Sequence, residues 1–181
     1  MPKVLVLIDS GNGNVAALAD AIAEGAESVR FTEVEVRRID PAPAGVGDGG
    51  QDAGAMLAKK YRVLESVESL ALHDAVIVVG ATRDGAMSAE LQHVLEQAGS
   101  LGAGRALLDK VGSAFAAVSG ADSDYERGVM PLLAPLMRLG MIIVPPAPAE
   151  AAPARQHGAR VAKVAEWVRH AKSHEAHGHA H

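Results

Sequence analysis

Ser10, Gly11, Asn12, Gly13 and Asn14 stand between an apolar run, Val4–Ile8, and an amphipathic stretch that opens at Val15. A buried strand that feeds a turn of small polar residues into a helix makes an anion site. The first-turn N–H groups of the helix lack carbonyl partners, and the helix dipole favours negative charge there. Two further turns follow apolar runs in the same way. Ala81, Thr82, Arg83, Asp84, Gly85 and Met87 lie behind Ala75–Val79, and Ser119 and Gly120 lie behind Val111–Val118. Carboxylates occur in all three turns, at Asp9, Asp84, Asp122 and Asp124. Facing a ligand, they would hold a magnesium ion or repel a phosphate. A fourth cluster lies near the C-terminus, where His170, His174, His177, His179 and His181 crowd one segment. His170 and His174 are spaced i, i+4 on one helix face, and imidazoles bind zinc, nickel or copper. His73 and His93 have no partner in sequence and are expected at surface or structural positions. Trp167 is expected to pack on the closing helix or at an oligomer contact.

Composition excludes several classes of function. The 181 residues carry a formal net charge of −5, which argues against binding a nucleic-acid backbone. There is no cysteine, so disulfides, thiol catalysis and thiolate metal sites are ruled out. Hydrophobic residues make up 49% but aromatics only 3%, so Ala, Val and Leu must build the interior. No apolar run approaches the ~20 residues of a membrane span. The opening Met-Pro-Lys-Val lacks the regions of a signal peptide, so a cytoplasmic location is expected.

Strands and helices alternate along the chain. Helices are expected over residues 15–28, 52–69, from Ser88 through Ala98, and over 153–172. Ser88 is placed to cap the third of these, with Leu91, Val94, Leu95 and Ala98 as its buried stripe. Strands are expected over 4–8, 31–39, 75–79, 111–118 and 141–144. The stretch 129–139 has helical spacing but contains Pro131 and Pro135. Pro131 suits a first turn, whereas Pro135 should kink the helix or delay its start. The Pro- and Gly-rich segment 40–50 reads as a loop. Apolar strands without alternating polarity belong in a parallel sheet covered on both faces. The expected fold is therefore a doubly wound five-stranded parallel sheet of order 2-1-3-4-5, in one domain over residues 1–172. A His-rich flexible tail, 173–181, completes the chain. In such a sheet the ligand sits at the carboxyl ends of the strands, where the order reverses.

The three turns together resemble the WrbA-type, flavodoxin-like NAD(P)H:quinone oxidoreductases. The similar stretches are Lys3–Leu7 with Ser10 and Gly13, Ala23–Ala26, Thr82-Arg83 with Gly85 and Met87, Leu95 with Gln97 and Gly99, Ser119-Gly120 with Glu126, Gly140–Pro145, and Ala154-Arg155 with Gly158 and Val161-Ala162. The resemblance implies an FMN cofactor, two-electron transfer from NAD(P)H to a quinone or similar small-molecule acceptor, and a homodimer or homotetramer. It implies that the FMN phosphate lies on Ser10, Gly11, Asn12, Gly13, Asn14 and Val15. Ala81, Thr82, Arg83, Asp84, Gly85 and Met87 would then lie along the ring and ribityl chain, and Ser119 and Gly120 at the ring's polar edge. Arg83 would offset negative charge on the reduced ring. Asp84 stands where that family carries an aromatic residue. The alternative expectation is thus a flavodoxin-fold binding or assembly protein that has lost flavin and catalysis.

Overall fold

The structure is a computed structural model, which describes residues 1–9, 13–39, 57–81, 86–100, 105–117, 125–146 and 154–178. Six strands form one sheet: β1 (Lys3–Ile8), β2 (Glu33–Arg38), β3 (Arg62–Val63), β4 (Ala75–Ala81), β5 (Val111–Ala117) and β6 (Ile142–Ile143). All pairs are parallel and the order is β3-β2-β1-β4-β5-β6. Among the described residues, the helices that cover it are α1 (Gly13–Glu27), α2 (Ala89–Ser100), α3 (Tyr125–Arg138) and α4 (Ala154–Gly178).

Why the central strands are apolar throughout is visible in their two faces. Val4, Val6 and Ile8 of β1 pack with Val15, Ala19 and Ile22 of α1 and with Val161, Ala162 and Ala165 of α4. Leu5 and Leu7 point the other way, into a second core with Leu91 and Leu95 of α2 and Leu132, Leu133 and Leu136 of α3. Each strand residue therefore meets a helix on one side or the other.

The five expected strands are present in the expected order, and β3 is an addition at the edge. It corrects the helix expected over 52–69. Of its described residues, 57–60 are helical, β3 follows, and a 3-10 helix, Val67–Leu72, comes next; residues 52–56 lie outside the described residues. The free edge of β2 supplies the reason. Leu64 N–H donates to the Arg38 carbonyl at 2.8 Å, and Arg38 Nε donates to the Tyr61 carbonyl at 3.2 Å. Pairing with a distant edge outweighs weak local periodicity. His73, buried, ties the 3-10 helix to β2. Its Nδ1 donates to the Ser69 carbonyl at 2.9 Å, and its Nε2 lies 2.8 Å from Glu35.

A second correction concerns the prolines. Helix α3 begins at Tyr125 and runs through both Pro131 and Pro135, so Pro131 is not in its first turn. Each proline withholds one backbone donor, but Leu132, Leu133 and Leu136 are buried in the helical register. The helix ends in a Schellman motif. Gly140, at φ +75°, donates to the Met137 carbonyl, and Met141 donates to the Leu136 carbonyl.

Helices α1 and α4 touch backbone to backbone. A Cβ at Gly25 would lie 1.8 Å from the Arg155 carbonyl oxygen, and one at Gly158 would lie 1.9 Å from that of Ile22. Neither position has room for any side chain. Gly99 in α2 is different, since a Cβ there meets only Leu139 Cδ2 at 3.6 Å. Gly25→Ala and Gly158→Ala should each lower stability by about 1–3 kcal/mol or more in urea denaturation. Gly99→Ala should be neutral or stabilising, because it lowers the entropy of the unfolded chain. Equal midpoints for all three variants would refute the close crossing.

Candidate cofactor site at the carboxyl end of the sheet

The three turns leave the sheet at one end. β1 stops at Ile8, β4 at Ala81 and β5 at Ala117, and Ala81 is in register with Ala117. The α1 helix starts at Gly13, directly beyond β1, and its first turn contains no acid. Gly13, Asn14 and Val15 thus bring the first-turn N–H groups of α1 to the point where the strand order reverses. Val15 itself is fully buried against β1. Met87 is half-buried and lines a groove of about 320 Å³ with Gln92, Leu95, Pro135 and Leu139. Ser10, Gly11, Asn12, Thr82, Arg83, Asp84, Gly85, Ser119, Gly120, Asp122 and Asp124 lie outside the described residues.

Asp9 is the acid closest in sequence to the phosphate turn, and the structure turns it away. Its N–H continues the β1 ladder, donating to the Val79 carbonyl at 2.8 Å. Strand alternation then puts its side chain on the face of Leu5 and Leu7, opposite α1. There Ser88 Oγ donates to Asp9 Oδ1 at 2.5 Å and accepts from Leu91 N–H at 3.0 Å. Ser88 is the cap of α2, as its position in sequence indicates. Gly80 leaves the space for the carboxyl, since a Cβ there would lie 3.1 Å from Asp9 Cβ. The Asp9 side chain therefore joins the end of β1 to the start of α2, across the roots of two of the three turns. Burial pushes its pKa up to about 6, although the Ser88 hydrogen bonds oppose the rise.

A second buried polar pair is invisible in the sequence. Ser113 on β5 donates to the Val144 carbonyl at 2.6 Å, so its oxygen accepts from His157 Nε2 at 2.8 Å. His157, near the start of α4, is almost fully buried beside Phe115. Its Nδ1 has no partner among the described residues. Burial, with a smaller contribution from the Arg160 charge, lowers its pKa to about 4. A lone Ser within the apolar β5 run was the only available signal for this pair.

The other candidates fall elsewhere. His170 and His174 are exposed on α4, with their Nε2 atoms 3.0 Å apart. His177 belongs to the same helix, and His179 and His181 lie outside the described residues. Among the described residues no group of three or more His, Asp or Glu is gathered for a metal. Trp167 is 66% exposed, which corrects the expectation of a packing residue. His93 is also exposed.

These features define a flavodoxin-like α/β protein with an acid-free helix N-terminus at the sheet's switch point. Solved structures agree on the fold. A flavodoxin, WrbA-like protein from Agrobacterium tumefaciens superposes with a TM-score of 0.61 at 22% identity, covering 92% of this chain and 99% of that one. The two-electron reduced flavodoxin of Megasphaera elsdenii gives 0.60 at 15% identity, covering 88% and 98%. The family profile described as NADPH-dependent FMN reductase matches residues 2–154, and the chain belongs to that family. Among its relatives are NAD(P)H dehydrogenases (quinone) from Afipia carboxidovorans, 37% identical over 148 residues, and from Cupriavidus metallidurans, 37% identical over 145. Each alignment spans 80% of this chain and 70% of the relative.

The two buried titrating groups make opposite contributions to stability. Asp9 binds its proton more tightly when folded, so its contribution is full below the unfolded value and lost as pH rises through 6. His157 binds its proton more weakly when folded, so its contribution is full above the unfolded value near 6.5 and lost as pH falls toward 4. Each amounts to about 3 kcal/mol, and between pH 4 and 6 they nearly cancel. Asp9→Asn should therefore leave stability rising with pH across this window, and His157→Gln should leave it falling. Urea midpoints measured from pH 4 to 7 check both slopes; unchanged profiles in both variants would refute the burial of these groups.

Proposed function

We propose that the protein is an FMN-dependent oxidoreductase that takes electrons from NAD(P)H and delivers them to a quinone or similar small acceptor. The observation that carries this reading is the β1–α1 junction. An acid-free helix N-terminus, with the neighbouring Asp9 turned to the opposite face of the sheet, suits a dianionic phosphate. FMN supplies the chemistry when bound, accepting a hydride equivalent from the nicotinamide and passing on two electrons. The chain's part is to bind and orient. Ser10, Gly11, Asn12, Gly13, Asn14 and Val15 would hold the phosphate. Ala81, Thr82, Arg83, Asp84, Gly85 and Met87 would line the ribityl chain and ring, and Ser119 and Gly120 the ring's polar edge. The guanidinium of Arg83 would balance negative charge on the reduced cofactor.

The working unit in this reading is a cytoplasmic homodimer or homotetramer. Met130 and Met137, exposed two turns apart on α3, support a contact surface between copies. Among the described residues, no helix is long and apolar enough to cross a membrane.

Purified protein should be yellow, should quench added FMN fluorescence at one equivalent per chain, and should oxidise NADH or NADPH in the presence of a benzoquinone. Failure to quench FMN would overturn the proposal. Asn14→Asp separates binding from folding. It adds only a negative charge to the first turn of α1, which the helix dipole tolerates and a phosphate does not. FMN affinity should fall at least tenfold while the thermal midpoint stays level or rises.

A further inference from the structure

The amino end of the sheet carries a different cluster. Helix α4 passes over β5 at His157 and reaches the amino end of the sheet. There Arg169 donates to the Met1 carbonyl and to Asp74, at the starts of β1 and β4. His170 follows immediately, and its Nε2 lies 3.0 Å from that of His174. The rings stand nearly perpendicular, with centroids 4.5 Å apart. We propose that His170 and His174 form a surface site for a divalent transition metal of the imidazole-preferring class, copper(II) or nickel(II).

The 3.0 Å contact is a hydrogen bond between the two Nε2 atoms, so both face one point. With the shared proton moved to Nδ1, a metal there would be held by two imidazole nitrogens in adjacent positions of a tetragonal or octahedral centre, the preference of copper(II) and nickel(II). Both side chains are exposed, so the other coordination positions are open to water. The helix is already formed and anchored. Lys172 Nζ donates to the Asp109 carbonyl at 2.9 Å, and Ser173 Oγ donates to the His170 carbonyl at 2.7 Å. Binding therefore orders little that is not already ordered. The cluster lies outside the family match, which ends at residue 154.

Trp167, the single tryptophan of the chain, is exposed one turn before His170 and reports directly on the site. Titrating the full chain with copper(II) should quench its fluorescence at one equivalent. Electron paramagnetic resonance should show a tetragonal signal with nitrogen coupling. His170→Ala and His174→Ala should each weaken the first equivalent at least tenfold, with helicity unchanged by circular dichroism. The double variant Ala171→His/His174→Ala keeps the number of histidines but makes them adjacent, so that they diverge around the helix; it should bind as weakly as His174→Ala. Wild-type affinity in that variant, or in His170→Ala, would overturn the proposal and assign binding to the histidines beyond residue 174.

Discussion

The backbone contact between α1 and α4 is the constraint on which the rest of the molecule depends. Gly25 and Gly158 leave no space for a side chain, so each helix meets a carbonyl of the other directly. At that separation the two helices act as one layer over β1, β4 and β5. The consequences reach both ends of the sheet. The start of α1 is set against the end of β1, where an anion would be held. One turn into α4, His157 is set over Ser113 and Phe115. Further along, the same helix reaches the starts of β1 and β4 through Arg169. Backbone-to-backbone packing also excludes alternative crossings, since any sliding would bring a bulkier residue to the contact.

Opposite this layer, α2 and α3 rest on the other face of the sheet, and Asp9 links that face to the candidate site. A carboxyl buried at a strand end is unfavourable when ionised. Ser88 compensates in part, because one hydroxyl both caps α2 and donates to the acid. The arrangement holds the Asp9 side chain on the face of the sheet opposite α1 and ties the end of β1 to the start of α2. His157 provides a counterpart, a buried base held neutral near the start of α4. The protein thus carries one buried acid at the carboxyl end of β1 and one buried base over β5, with opposite effects on stability.

The two proposed sites lie toward opposite ends of the sheet. The carboxyl end gathers the helix terminus and the three turns that the FMN reductase family match spans. The amino end gathers the paired histidines on α4, which lie outside that match. A parallel sheet permits this separation because all its strands point one way, so helices that return across it deliver their ends to opposite rims.

The sequence by itself determined the alternation of strands and helices, the parallel sheet and the order of its five central strands, and the Ser88 cap. These were legible because each rests on neighbours within a few residues. A strand buried on both faces is apolar throughout, and a cap is a hydroxyl before an apolar stripe. Only the tertiary structure decided the added edge strand, the uninterrupted α3, the direction of Asp9 and the His157–Ser113 pair. Each depends on groups far apart in the chain. Ser88 is 79 residues from Asp9, and His157 is 44 from Ser113. Two residues suffice for β3 because β2 offers an unpaired edge, and the prolines of α3 are tolerated because the leucines between and beside them are buried. No local pattern records such partners, since the free energy that selects them arises when the layers close.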